Sequence, residues 1–97
     1  MEWEKIELAG FRDIDEPSIE LVNKIISHHF RRFQEHAKAM QGVHITLKTI
    51  HQREKSEKYE IHAKLIDTGK VYVSKVTDRN LLAAIDKALD KIVNEMD

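Results

Sequence analysis

Apolar residues recur along this chain with two different periods, and each change of period marks an element. Residues 3–8, WEKIEL, alternate, with Ile6 and Leu8 on one side, and Gly10 breaks the run. From Ile19 the period lengthens: Ile19, Val22, Ile26, Phe30, Phe33, Ala37 and Met40 make one helical stripe of about six turns. Pro17 suits the first turn of this helix, Asp15 or Glu16 stands at or near its cap, and Gly42 is placed to end it as the C′ residue. Alternation returns at 43–50, where Val43, Ile45 and Leu47 oppose His44, Thr46 and Lys48. It returns again at 59–66, where Tyr59, Ile61, Ala63 and Leu65 oppose Glu60, His62 and Lys64. HQREKSEK, residues 51–58, joins these two strands and is expected to be a mobile charged loop. Asp67-Thr68-Gly69 makes a hairpin turn into a strand at 71–76. Thr77 or Asp78 then caps a last helix, whose stripe of Leu81, Ile85, Ala88, Leu89 and Ile92 continues to about Glu95.

The order is β-α-β-β-β-α. Each helix has a single apolar stripe and the strands alternate, so both helices share one face of a four-stranded sheet whose other face is open. The expected fold is an α/β (α+β) two-layer sandwich forming one domain over residues 1–97. Ile26, Phe33, Ile45, Leu47, Ile61, Leu65, Ile85 and Leu89 are expected in its core.

Composition narrows what such a domain can do. Its 97 residues support a single core. There is no cysteine, which excludes disulfides, a thiol nucleophile and thiolate metal ligands. MEWEKIELAG has no apolar segment of the signal-peptide kind, and no run is long enough to span a membrane. A soluble, cytoplasmic protein without membrane contact is expected. One third of the residues are charged, yet the net charge is only −1, so any affinity for a polyanion must come from local segregation of charge.

Segregation is present on the first helix, where Lys24, His28, Arg31, Glu35 and Lys38 turn away from the apolar stripe and Arg32 lies on a flank. On the second helix Lys87 and Lys91 stand one turn apart and extend the same surface if the helices lie side by side, with Arg79 near its end. The plainer alternative is that all are solvated positions, with Asp86 and Asp90 pairing the lysines along the helix. The histidines do not make a metal set. His29 and His36 flank the core stripe two turns apart, His28 points elsewhere, and His44 and His62 share the open sheet face, as diagonal neighbours or two pairs further apart, without a third ligand. No motif of nucleophilic, phosphate-loop or metalloprotease chemistry occurs, so no catalytic residue and no cofactor is assigned. Trp3 and Tyr72 could be stacking platforms on the open sheet face, or an edge anchor and a half-buried strand residue.

The element order, the opening IELAGF, the acidic lead into Pro17 and above all TDRNLLAAIDKALDKI resemble the short-form ribosome hibernation-promoting factor and ribosome-associated inhibitor family. The resemblance spans the chain, but only the second helix is specific. It implies a non-enzymatic protein that binds the small ribosomal subunit, in the channel used by messenger and transfer RNA, and silences translation while protecting the ribosome under stress. The family sets basic residues of both helices against ribosomal RNA. The matching positions are Lys87 and Lys91, with Lys24, His28, Arg31 and Arg32, while Lys38 and Arg79 complete the candidate set. This chain departs from the family in its acidic ending, NEMD, and in the three histidines of its first helix. Two other readings stand beside this one: a double-stranded-RNA-binding-like module, and a protein-interaction or dimerisation module that uses the open sheet or the first strand's edge. The oligomeric state is left open.

Overall fold

The computed structural model of this chain describes residues 2–51 and 57–97. Its elements are β1 (Ile6–Ala9), α1 (Glu16–His36), β2 (Met40–His51), β3 (Glu57–Asp67), β4 (Lys70–Asp78) and α2 (Leu81–Met96), in the expected order. The strands form one sheet in the order β1-β2-β3-β4. β1 runs parallel to β2, which requires a crossover, and α1 supplies it. β2, β3 and β4 are an antiparallel meander. The strands reach His51 and resume at Glu57, and the rest of the expected mobile connector lies outside the described residues.

Alternation decides which side of the sheet is covered. Val43, Ile45 and Leu47 of β2 and Ile61, Ala63 and Leu65 of β3 are buried, and they meet Val22, Ile26, Phe30 and Phe33 of α1 and Ala84, Ile85, Ala88, Leu89, Ile92 and Val93 of α2. Every residue expected in the core is there. On β4 the residues opposite Leu65, Ala63 and Ile61 are Tyr72, Ser74 and Val76. Tyr72 therefore lies on the helix-covered face, packed against the core, and is not a platform on the open one. Ser74 Oγ donates to the Ala88 carbonyl at 2.7 Å, which fixes α2 over β4.

Four local expectations are corrected. The first strand is only four residues long, because Trp3–Lys5 wind into a 3-10 turn closed by Lys5 N–H on the Glu2 carbonyl. Leu8 stands opposite Ile45 but stays 38 % exposed at the sheet's edge. The first helix stops at His36, with Ala37 already extended, and Met40 is a buried residue of β2. The cause is distant in sequence: Asp67, at the end of β3, accepts hydrogen bonds from the N–H groups of Lys38 at 3.1 Å and Ala39 at 2.8 Å, and so draws the chain out of the helix. Gly42 does not end the helix either; it sits in β2 at an irregularity of the β2–β3 register beside Met40. Finally, β4 continues through Thr77 and Asp78, and the cap of α2 is Asn80, whose Oδ1 accepts from Ala83 N–H at 3.0 Å. The cap of α1 is Asp15, accepting from Ser18 N–H.

Two positions depend on backbone conformations few residues adopt. Thr68 and Gly69, with φ of 51° and 80°, form a two-residue loop that matches the twist of β3 and β4. Gly10 has φ 86° and lies against β2 so closely that a Cβ there would stand 2.1 Å from the Leu47 carbonyl oxygen. Gly10→Ala is therefore expected to lower the free energy of unfolding by about 1–3 kcal/mol or more, measured by urea titration. Leu89→Ala, at a fully enclosed site, is expected to cost about 2–5 kcal/mol in the same measurement.

The Asp67 carboxyl is held below its ordinary pKa, first by the Ala39 N–H and then by those of Lys38 and the Thr68 hydroxyl, against the opposing effect of burial. A carboxyl with a lowered folded-state pKa stabilises the fold above its unfolded value of about 3.9, and that contribution is lost as the pH falls through the folded value. Asp67→Asn should thus be less stable than wild type near neutral pH. It should also lose less further stability than wild type on acidification to about pH 3.

Candidate nucleic-acid interface

The outward face of α1 follows from its wheel. With Val22, Ile26, Phe30 and Phe33 committed to the core, Lys24, His28 and Arg31 must point to solvent, and all three are exposed. They line a shallow hollow of about 400 Å³ with Asn23 and Ser27. Among the described residues Lys24 and Arg31 have no ion-pair partner, and the His28 ring meets only His29, edge to face at 5.2 Å. Lys38 falls after the helix and leaves this row; its side chain is exposed while its backbone N–H is held by Asp67.

The side of α1 turned toward α2 carries His29, Arg32 and His36. His29, only 2 % exposed, places Nε2 at 2.7 Å from Asp86 Oδ1. With the proton on Nε2, the ring's Nδ1 is left as an acceptor toward Arg32 Nη1 at 3.4 Å. Arg32 Nη1 donates to Asp90 Oδ1 at 2.8 Å, and His36 Nδ1 lies 3.1 Å from Asp97 Oδ1. The pairs advance together along both helices, so α1 and α2 run parallel.

This seam changes the standing of several candidates. Arg32 is a clamp between helices, half-buried. Asp86 and Asp90 serve α1 and not the lysines beside them in sequence. Lys87 instead donates to Asp78 Oδ2 at the end of β4, at 2.7 Å, and Lys91 has no partner among the described residues. Lys87 and Lys91 consequently occupy the β4 side of α2, separated from Lys24, His28 and Arg31 by the acidic seam. Arg79 lies at the opposite end of the molecule from Lys38, in a hollow of about 260 Å³ where both helices begin. The eight candidates therefore form one compact row on α1, a pair on the far flank of α2, and three scattered positions.

The open sheet face is polar in the middle. His44 Nδ1 lies 3.0 Å from Glu7 Oε2, His62 Nε2 lies 3.3 Å from Glu60 Oε2, and Lys75 holds the other oxygen of Glu60 at 3.0 Å. His44 stands opposite Lys64 and His62 opposite Thr46, so the two histidines are diagonal neighbours. Among the described residues no group of three His, Asp or Glu side chains is placed to hold a metal ion. No helix of the structure is long and apolar enough to cross a membrane.

One feature escaped the sequence entirely. Reading residues 3–8 as a strand put Trp3 on the sheet, whereas the 3-10 turn carries it beside α1. There it lines a hollow of about 430 Å³ with Ser27, Phe30, Arg31 and Gln34.

Two solved structures resemble this architecture over nearly all its length. The N-terminal domain of Protein Y from Thermus thermophilus is 15% identical, with a TM-score of 0.59, covering 94% of this chain and 91% of that one. A ribosomal subunit interface protein from Coxiella burnetii is 14% identical, with a TM-score of 0.63 and the same coverage of each chain. The chain has the Protein Y fold. No protein-family model and no curated protein matches the sequence. Within this fold Lys87 is paired with Asp78, at 2.7 Å.

That ion pair can be measured. The hydrogen bond from Lys87, followed by that from Asn80 N–H, holds the Asp78 carboxyl below its ordinary pKa. A carboxyl titration by NMR should find Asp78 titrating below an ordinary Asp in wild type and moving up toward it in Lys87→Ala. An unchanged value would mean that the pair does not persist in solution.

Proposed function

We propose that this chain binds the small ribosomal subunit through ribosomal RNA and silences translation there, in the cytoplasm, as a ribosome-hibernation protein. The observation that carries the reading is the fold shared, over 94% of the chain, with a ribosomal subunit interface protein. The IELAGF and TDRNLLAAIDKALDKI stretches support it, and so does the row of Lys24, His28 and Arg31 on one helix, in which Lys24 and Arg31 have no ion-pair partner among the described residues.

Contacts of this kind go to phosphates. They are independent of base sequence and weaken as salt rises, because each neutralised phosphate releases counterions. Lys24 and Arg31 meet that requirement directly. Lys91 is available as well, but Lys87 must first give up Asp78, and the negative seam beside both lysines works against a polyanion. The principal RNA face is therefore α1, with α2 contributing at its flank.

Sedimentation of ribosomal subunits with purified protein tests the assignment. Wild type should co-migrate with small subunits at low salt. Lys24→Glu/Arg31→Glu should weaken the association by about tenfold or more, and should make the dependence of log affinity on log salt shallower by up to about two units. Lys87→Glu/Lys91→Glu, with the same change of charge, should weaken it less. Equal losses from the two pairs would show that long-range charge and not the α1 face drives binding. Failure of wild type to co-migrate would reject the ribosomal reading.

A further inference from the structure

The hollow between the N-terminal turn and α1 has a composition that the phosphate row lacks. Trp3, the only tryptophan in the chain, is 40 % exposed at its rim. Phe30, otherwise buried, contributes the floor, and Ser27, Arg31 and Gln34 line the rest. Its volume, about 430 Å³, lies in the range of small-molecule sites. Arg31 also lines the hollow that holds Lys24 and His28, so the two sites share a cation.

We infer that this hollow seats one unstacked base of single-stranded RNA, with Trp3 as the stacking surface and Arg31 meeting the adjoining phosphate. The inference rests on the RNA-binding reading above and adds a base contact to it. Aromatic rings beside a basic groove are the arrangement by which proteins hold unpaired nucleotides, because every base presents a π-face and the backbone is always anionic. The polar groups of the hollow are suited to a base edge. Ser27 gives its proton to the Asn23 carbonyl at 2.8 Å, which leaves the hydroxyl oxygen to accept. Gln34 directs its amide N–H toward Glu2 at 3.4 Å, leaving its oxygen free to accept as well. The anion that Gln34 meets, Glu2, is itself paired with Lys5 at 3.3 Å.

Because Trp3 is unique, its fluorescence reports this site alone. The probes are a short single-stranded oligoribonucleotide and inorganic polyphosphate of matched charge. The oligoribonucleotide should quench Trp3 emission on binding, and polyphosphate should not, although it too engages Lys24 and Arg31. Trp3→Ala should bind the labelled oligoribonucleotide about tenfold more weakly by anisotropy, while Trp3→Phe should stay within about threefold of wild type. Binding without quenching, equal quenching by polyphosphate, or a Trp3→Ala affinity equal to wild type would each overturn the base site. Co-sedimentation with ribosomes is a separate measurement. A base site that fails while co-sedimentation persists leaves the ribosomal reading intact, and loss of wild-type co-sedimentation removes that reading first.

Discussion

Two amphipathic helices confined to one face of a four-stranded sheet must touch each other, and the parallel seam between α1 and α2 governs the rest of the surface. Its centre is the contact of His29 with Asp86, in which one partner is buried and the other half exposed. A buried ring nitrogen needs a partner, since leaving one unsatisfied costs about 1–3 kcal/mol. Asp86 meets that need, its carboxylate directed at α1 and not at the lysine beside it in sequence. Asp90 is committed in the same way to Arg32. The helical faces left over for solvent are what remains after these commitments.

This explains how a chain with 16 basic and 17 acidic residues presents a basic row at all. Composition gives no excess of positive charge, but internal pairing is unevenly distributed. Asp86, Asp90 and Asp97 turn toward α1, and Asp78 is drawn to Lys87, whereas nothing among the described residues neutralises Lys24 or Arg31. Exposed ion pairs add little to stability. Their larger consequence here is to decide which cations remain available to a partner and which do not.

The architecture was legible in the sequence because every element repeats its own signal: the strands alternate, the helices keep one stripe, and the two patterns bury complementary surfaces. Features determined by one distant residue were not legible. Nothing near residues 37–40 says that the helix must end, because the carboxylate that ends it belongs to Asp67; the apolar stripe even runs on through Met40, which is buried equally well as a strand residue. The cap of α2 was misplaced because Thr77 and Asp78 are good capping residues that β4 had already recruited. For the candidate site, spacing on the wheel put Lys24, His28 and Arg31 on one exposed face, but it offered Asp86 and Asp90 as partners for the lysines and gave no partner for Arg32. The partners of Arg32 and Lys87 lie on other elements, and sequence spacing along one helix cannot see them. Trp3 was misplaced by a single error of period, a 3-10 turn read as the start of a strand.

The position of Arg31 between the basic row of α1 and the Trp3 hollow bears on how, under the proposed function, a nearly neutral protein would hold RNA. Phosphate contacts lose affinity steeply with salt, and a row with one lysine and one arginine supplies few of them. Stacking of a base on an aromatic ring carries no such counterion term and is tolerant of sequence. A chain that draws part of its affinity from Trp3 therefore needs less positive charge for the same occupancy. It can keep the acidic seam that joins its helices without forfeiting the partner. On this view the acidic residues of α2 and the tryptophan beside α1 are two sides of one arrangement: the first limits how basic the helical surface can become, and the second compensates at a site the seam does not reach.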